Sequence, residues 1–118
     1  MKKLNKLLLP IVVLVSFSFV PFHHGWADYD QTKGFELTGE VQEFVFENPH
    51  AKAKLKSGDQ VWLVILAPTS RMTERGVPVD KVKVGTKLKV YGYPHKKVKD
   101  EMRAERMFVD DVKFELRK

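Results

Sequence analysis

Residues 35–46 read FELTGEVQEFVF. Phe35, Leu37 and Val41 alternate with Glu36, Thr38 and Glu40, the period-two pattern of a strand with one wet face. After Gln42 the phase slips, and Phe44 and Phe46 carry the apolar face on even positions. A one-residue slip turns every later side chain over unless a bulge absorbs the extra residue. The stretch therefore predicts a long, bent first strand with a β-bulge at Gln42-Glu43, its curvature eased by Gly39. Closed barrels need bending of this kind.

Downstream, Asn48-Pro49 is a turn signal, and Pro49 has no N–H to give a ladder. AKAKLK alternates, with Ala51, Ala53 and Leu55 facing inward. SGDQ marks a hairpin turn at Gly58 and Asp59. VWLVIL, apolar on both faces, reads as a strand covered on both sides. APTSRMTERG predicts a helix of about two turns, with Thr69 or Ser70 as cap and Gly76 as the left-handed exit. TKLKVYGY is the next strand, with Leu88 and Val90 inward, followed by a charged loop, PHKKVKDEM. AERMFVDDVKFEL is the last strand, with Phe108, Val112, Phe114 and Leu116 in register. Strand, strand, strand, helix, strand, strand predicts an all-β chain with one short helix, folded as a small five-stranded OB-fold-like barrel over residues 35–118. An open five-strand sandwich with the helix packed at one end is the competing architecture.

Upstream, Lys2, Lys3 and Lys6 precede the apolar run LLLPIVVLVSFSFV. Too short for a span and interrupted by Pro10, it reads as a signal peptide over residues 1–22. Small residues before the cut also allow cleavage after Ser18 or after Ala27. An uncleaved leader anchoring the chain in the inner membrane is the alternative. Residues 23–34 form an extended N-terminal segment. The expected compartment is periplasmic or extracellular, with no stable membrane span after cleavage. The 118 residues hold no cysteine, which excludes disulfides, thiolate metal sites and thiol catalysis. Loss of residues 1–22 lowers the formal charge from +6 to +3, since three lysines leave and no acids. A mildly basic protein results, and export argues against nucleic acid as its partner.

Histidines are the candidate ligand set. His23 and His24 are adjacent, His50 follows Asn48-Pro49, and His95 follows Tyr93-Pro94. In an OB barrel the first-to-second and fourth-to-fifth connections flank one binding face, which brings His50 and His95 toward one rim. Imidazole suits copper, zinc, nickel and iron, and copper leads the divalent affinity order. The expected site is His23, His24 and His50, holding copper first and zinc second. A chain beginning at His23 would add its free amine. Asp28 and Asp30 match no calcium loop.

The second candidate is the outward face of the fourth strand: Lys87, Lys89, Tyr91 and Tyr93, with His95 and the lysines of the next loop beside it. Cations interleaved with aromatics suit an anionic ligand, a glycan or a protein partner of the cell envelope. The bland alternatives are linker histidines and a solvated lysine face. Ser70, Asp80 and His50 form a triad only on paper, because Ser70 lies in no nucleophile elbow. Glu36, Glu40, Glu43 and Glu47 read as the wet face of a strand, and Trp62 as core. No catalytic constellation emerges, so the expectation is a binding protein and not an enzyme.

His23-His24, Leu37-Thr38-Gly39, Asn48-Pro49-His50-Ala51, Trp62, Arg75-Gly76 and Val90-Tyr91-Gly92-Tyr93 occur in this order. In that order the chain resembles a family of small exported bacterial proteins known only as a domain of unknown function. The resemblance implies that His23, His24 and His50 belong to the family's pattern and His95 does not. It also implies cleavage directly before His23, where this chain carries Phe22 in place of the usual small residue.

Overall fold

A computed structural model describes residues 25–118. The first strand, β1 (Phe35–Val45), is long and changes partner along its length. Its first half pairs antiparallel with β4 (Lys87–Pro94), and its second half with β2 (Lys52–Ser57). The register with β2 shifts between Val41 and Glu43, which is the bulge the phase slip requires. Leu37 and Val41 before the bulge are buried, and Phe44 after it still packs against the core, whereas Phe46, past the strand's end, is exposed. A hairpin at Gly58-Asp59 leads into β3 (Gln60–Ile65). Helix α1 (Thr69–Glu74) follows, and then a 3₁₀ turn at Val79–Lys81.

Strand β5 (Glu101–Val109) pairs antiparallel with β4 and, through Glu101–Arg103, parallel with Leu63–Ile65 of β3. That parallel contact closes five strands into a barrel, as the strand order predicts. Met102, Ala104 and Met107 point inward from β5 to meet Val41, Leu55, Val64 and Val90. Met72 of α1 is fully buried in the same core, a contribution of about 1.5–3 kcal/mol for a side chain of its size. Among the described residues no helix is long and apolar enough to cross a membrane.

Five local expectations need correction. The last apolar run is two strands, because Asp110 and Asp111, at φ 51° and 66°, turn the chain back into β6 (Val112–Glu115). The inward phase of β5 is the methionine set, so Phe108 points out and carries the Lys89 ammonium 4.5 Å above its ring. The charged loop is shorter than expected, since Glu101 and Met102 already lie in β5, held by the parallel ladder. Helix α1 begins without a side-chain cap after Pro68; Thr69 instead donates its hydroxyl to Asn48 Oδ1 at 2.9 Å. Gly76, at φ 75°, does make the left-handed exit. On β3, the covered half is Val64 and Ile65, whereas Val61 is exposed.

The short edge strand β6 is blunted from the side. Arg75 donates to the Glu115 carbonyl at 2.6 Å, and Arg71 to that of Leu116 at 3.3 Å.

A second bulge separates Tyr91 from Gly92, and there β4 passes against β5. A Cβ at Gly92 would run into the Arg103 carbonyl oxygen and come within 2.8 Å of Ala104 Cα, both rigid backbone. Gly92→Ala is expected to lower stability by about 2 kcal/mol or more, as overpacking does. Urea unfolding of the purified domain measures it.

Candidate functional site

Outward side chains of a barrel strand normally meet water, yet Glu101 and Arg103 are each only 7% exposed. The cover is the segment Gly25–Asp30. A 3₁₀ turn at Trp26–Asp28 closes with Asp28 N–H donating to the Gly25 carbonyl and Tyr29 N–H to that of Trp26. Backbone bonds then stitch the segment to the β4–β5 connection: Asp30 N–H to the Pro94 carbonyl at 2.8 Å, and Lys96 N–H to that of Asp28 at 2.9 Å. Tyr29 forms a bridge pair with His95.

Tyr29 is the anchor. It is 1% exposed, its ring meets His95 edge to face at 5.0 Å, and its phenol donates to Glu101 Oε2 at 2.7 Å. Burial first, and the bond to Glu101 second, raise its pKa far above the ordinary tyrosine value. Trp26 covers Arg103. The guanidinium carbons of Arg103 and Arg117 stand 4.3 and 4.1 Å from its indole centroid, and its edge meets Tyr93 at 6.1 Å. Cation–π contacts of this kind contribute about 0.5–2 kcal/mol each. Desolvation lowers the Arg103 pKa, with Arg71 and Arg117 adding repulsion and Tyr29 opposing it.

Arg103 also faces His50. Its Nη2 lies 3.4 Å from His50 Nε2. A guanidinium only donates, so the imidazole nitrogen accepts in this contact. His50, half-buried at the end of the β1–β2 connection, thus neighbours the guanidinium that Trp26 covers. His95 occupies the β4–β5 connection. Its Nδ1 accepts from the backbone N–H groups of Lys97 and Val98, both at 3.0 Å, so that lone pair shapes the loop. His23 and His24 lie outside the described residues. Among the described residues, no three His, Asp or Glu side chains gather as a metal cluster.

The Lys87–Tyr93 face is internally matched. Tyr91 lies beneath the Arg106 guanidinium at 4.9 Å and meets the Tyr93 ring at 5.7 Å. Tyr93 donates to Glu105 Oε1 at 2.7 Å, and this bond, followed by burial, pushes its pKa up to about 12. Arg106 donates to Glu105 at 2.7 Å and to Glu115 at 3.0 Å. Lys87 is exposed opposite Glu40 of β1. Carboxylates therefore meet cations across this surface, and Arg106 already covers the Tyr91 ring.

Sequence reasoning missed Trp26, Tyr29, Arg103 and Arg117. The available signal was two aromatics three residues apart in an otherwise polar segment, GWADYD. Over β2 and β3, two shallow cavities of about 260 and 310 Å³ share Lys54 and Leu63, and the second extends to Val98 and Glu101.

These features define a small closed OB-type barrel whose third-to-fifth-strand seam is covered by the chain's own N-terminal segment. The chain belongs to a family of unknown function, DUF6152, whose family model matches residues 12–103. No curated protein matches the chain.

Both raised tyrosines have a calculable consequence. Each stays neutral in the fold at a pH where an unfolded tyrosine ionises, about 10. The stability they supply is complete below that pH and is lost as pH climbs toward their folded values. Urea unfolding from pH 8 to 12 is expected to show this alkaline loss, and Tyr29→Phe with Tyr93→Phe to reduce it. Tyr29→Phe alone, which withdraws a buried donor from Glu101, is expected to lower neutral-pH stability by about 1–3 kcal/mol.

Proposed function

We propose that this protein is an exported β-barrel that binds a transition metal, copper first and zinc second, through His23, His24 and His50. One observation carries the reading. The Trp26 indole and the His50 imidazole lie against the same guanidinium, that of Arg103. His24 stands two residues upstream of Trp26, a reach of at most about 7 Å of chain. A tether this short supports a site shared by the histidine pair and His50. Imidazole nitrogens without thiolate suit copper(II) and zinc. The nitrogen that His50 offers to Arg103 is itself a competent donor, and coordination there requires Arg103 to release it.

The same docking bears on processing. Cleavage after Ala27 would discard the indole that covers Arg103 and the carbonyl that closes the Trp26–Asp28 turn. A mature chain that begins at or before Gly25 keeps this cover. Amino-terminal sequencing of the exported protein is expected to find a start upstream of Trp26, at His23 in the reading favoured here. A start at Asp28 refutes it.

Titration of that mature chain with copper(II) is expected to show one tight equivalent, weakening as pH falls through about 6.5, where imidazole takes a proton. His50→Ala is expected to weaken binding by at least about tenfold. Absence of stoichiometric binding, or equal binding without His50, ends the metal reading.

A further inference from the structure

The β4–β5 connection carries Lys96, Lys97, Val98 and Lys99 at its tip, all exposed. Its shape is built. His95 Nδ1 takes the N–H groups of Lys97 and Val98, the His95 N–H donates to the Glu101 carbonyl at 2.9 Å, and Asp28 holds Lys96 N–H. Asp100, at φ 59°, turns the chain into β5, and its carbonyl accepts the Leu63 N–H.

Two acids beside the tip, Asp100 and Glu101, bond back to the barrel. Asp100 accepts from Gln60 Nε2 at 3.0 Å, and its carboxylate lies 3.9 Å from the Lys99 ammonium, while Glu101 is buried against Tyr29. The Lys99 side chain is nevertheless 87% exposed, Lys97 is exposed beside it, and Lys96, also exposed, favours the charge on Asp30. Val98 stands among them 48% exposed, and Val61 of β3 is 45% exposed. Between these two valines lies the 310 Å³ hollow, which Lys54, Leu63 and Lys99 also line.

We infer that this tip docks the protein on an anionic bilayer surface, with Lys96, Lys97 and Lys99 against lipid phosphates and Val98 at the acyl boundary. Three lysines around an aliphatic tip combine the electrostatic and apolar terms that hold peripheral proteins on anionic lipid. The exposed apolar groups are valines, which suit acyl chains; sugar rings and bases call for stacking aromatics. On the neighbouring face, Tyr91 already carries the Arg106 guanidinium, and Tyr93 is engaged by Glu105 and by the Trp26 ring. This inference is independent of the metal reading, because it uses no histidine as a ligand.

Vesicle co-sedimentation of the mature chain, without added metal, tests it. Binding to phosphatidylcholine vesicles containing phosphatidylglycerol, and not to phosphatidylcholine alone, is expected. Each reversal, Lys97→Glu or Lys99→Glu, is expected to weaken binding by about fivefold or more. Val98→Asp is expected to weaken it with all three lysines present. Unchanged thermal melting keeps these exposed variants interpretable. Equal partition onto neutral vesicles, or indifference to the lysine reversals, overturns the inference. So does a soluble polyanion such as polyphosphate that binds as tightly as the vesicles and ignores Val98→Asp, since the surface would then read charge alone.

Discussion

Three residue pairs between parallel strands, Leu63–Ile65 against Glu101–Arg103, make this sheet a barrel. Among the described residues, every other ladder is antiparallel. Parallel neighbours cannot be joined by a tight turn, so the chain between them must make a long excursion. That excursion holds α1, whose Met72 enters the core, and β4, which returns to β1. Closure also sets the orientation of β5. With Met102 and Ala104 inside, Glu101 and Arg103 must lie outside, at the seam.

Charges at a seam need partners if they are to be shielded from water. The N-terminal segment supplies them, a phenol for Glu101 and an indole for Arg103, and His50 adds its imidazole to the same arginine. Residues 25–30 are therefore part of the domain and not a trailing linker.

Local patterns in the sequence carried much of this fold. The slip at Gln42-Glu43, the turns at Asn48-Pro49 and Gly58-Asp59, and the exit at Gly76 all follow from short-range rules, and the structure has each of them. What failed was long-range. Two adjacent aspartates in left-handed conformation fold the last run back, although no glycine marks the place. Glu101 read as loop, and Arg103 went unassigned, because their strand pairing and cover come from residues about 40 and 75 positions away. Trp26 escaped notice for the same reason: its partners, Arg103 and Arg117, are on the far side of the sequence. A lysine-tyrosine stripe was legible on β4, but not the carboxylates of β5 and β6 that meet its neighbours.

The strand left outermost, β6, is four residues long, and Arg71 of α1, with Arg75 just after it, reaches the carbonyls at and just past its end. A sheet that ends in so brief a margin, crossed by two arginines, offers little template for a strand from another molecule. Crowded solutions of this protein should accordingly resist fibril growth through strand addition, a useful property for a domain with no disulfide to restrain it.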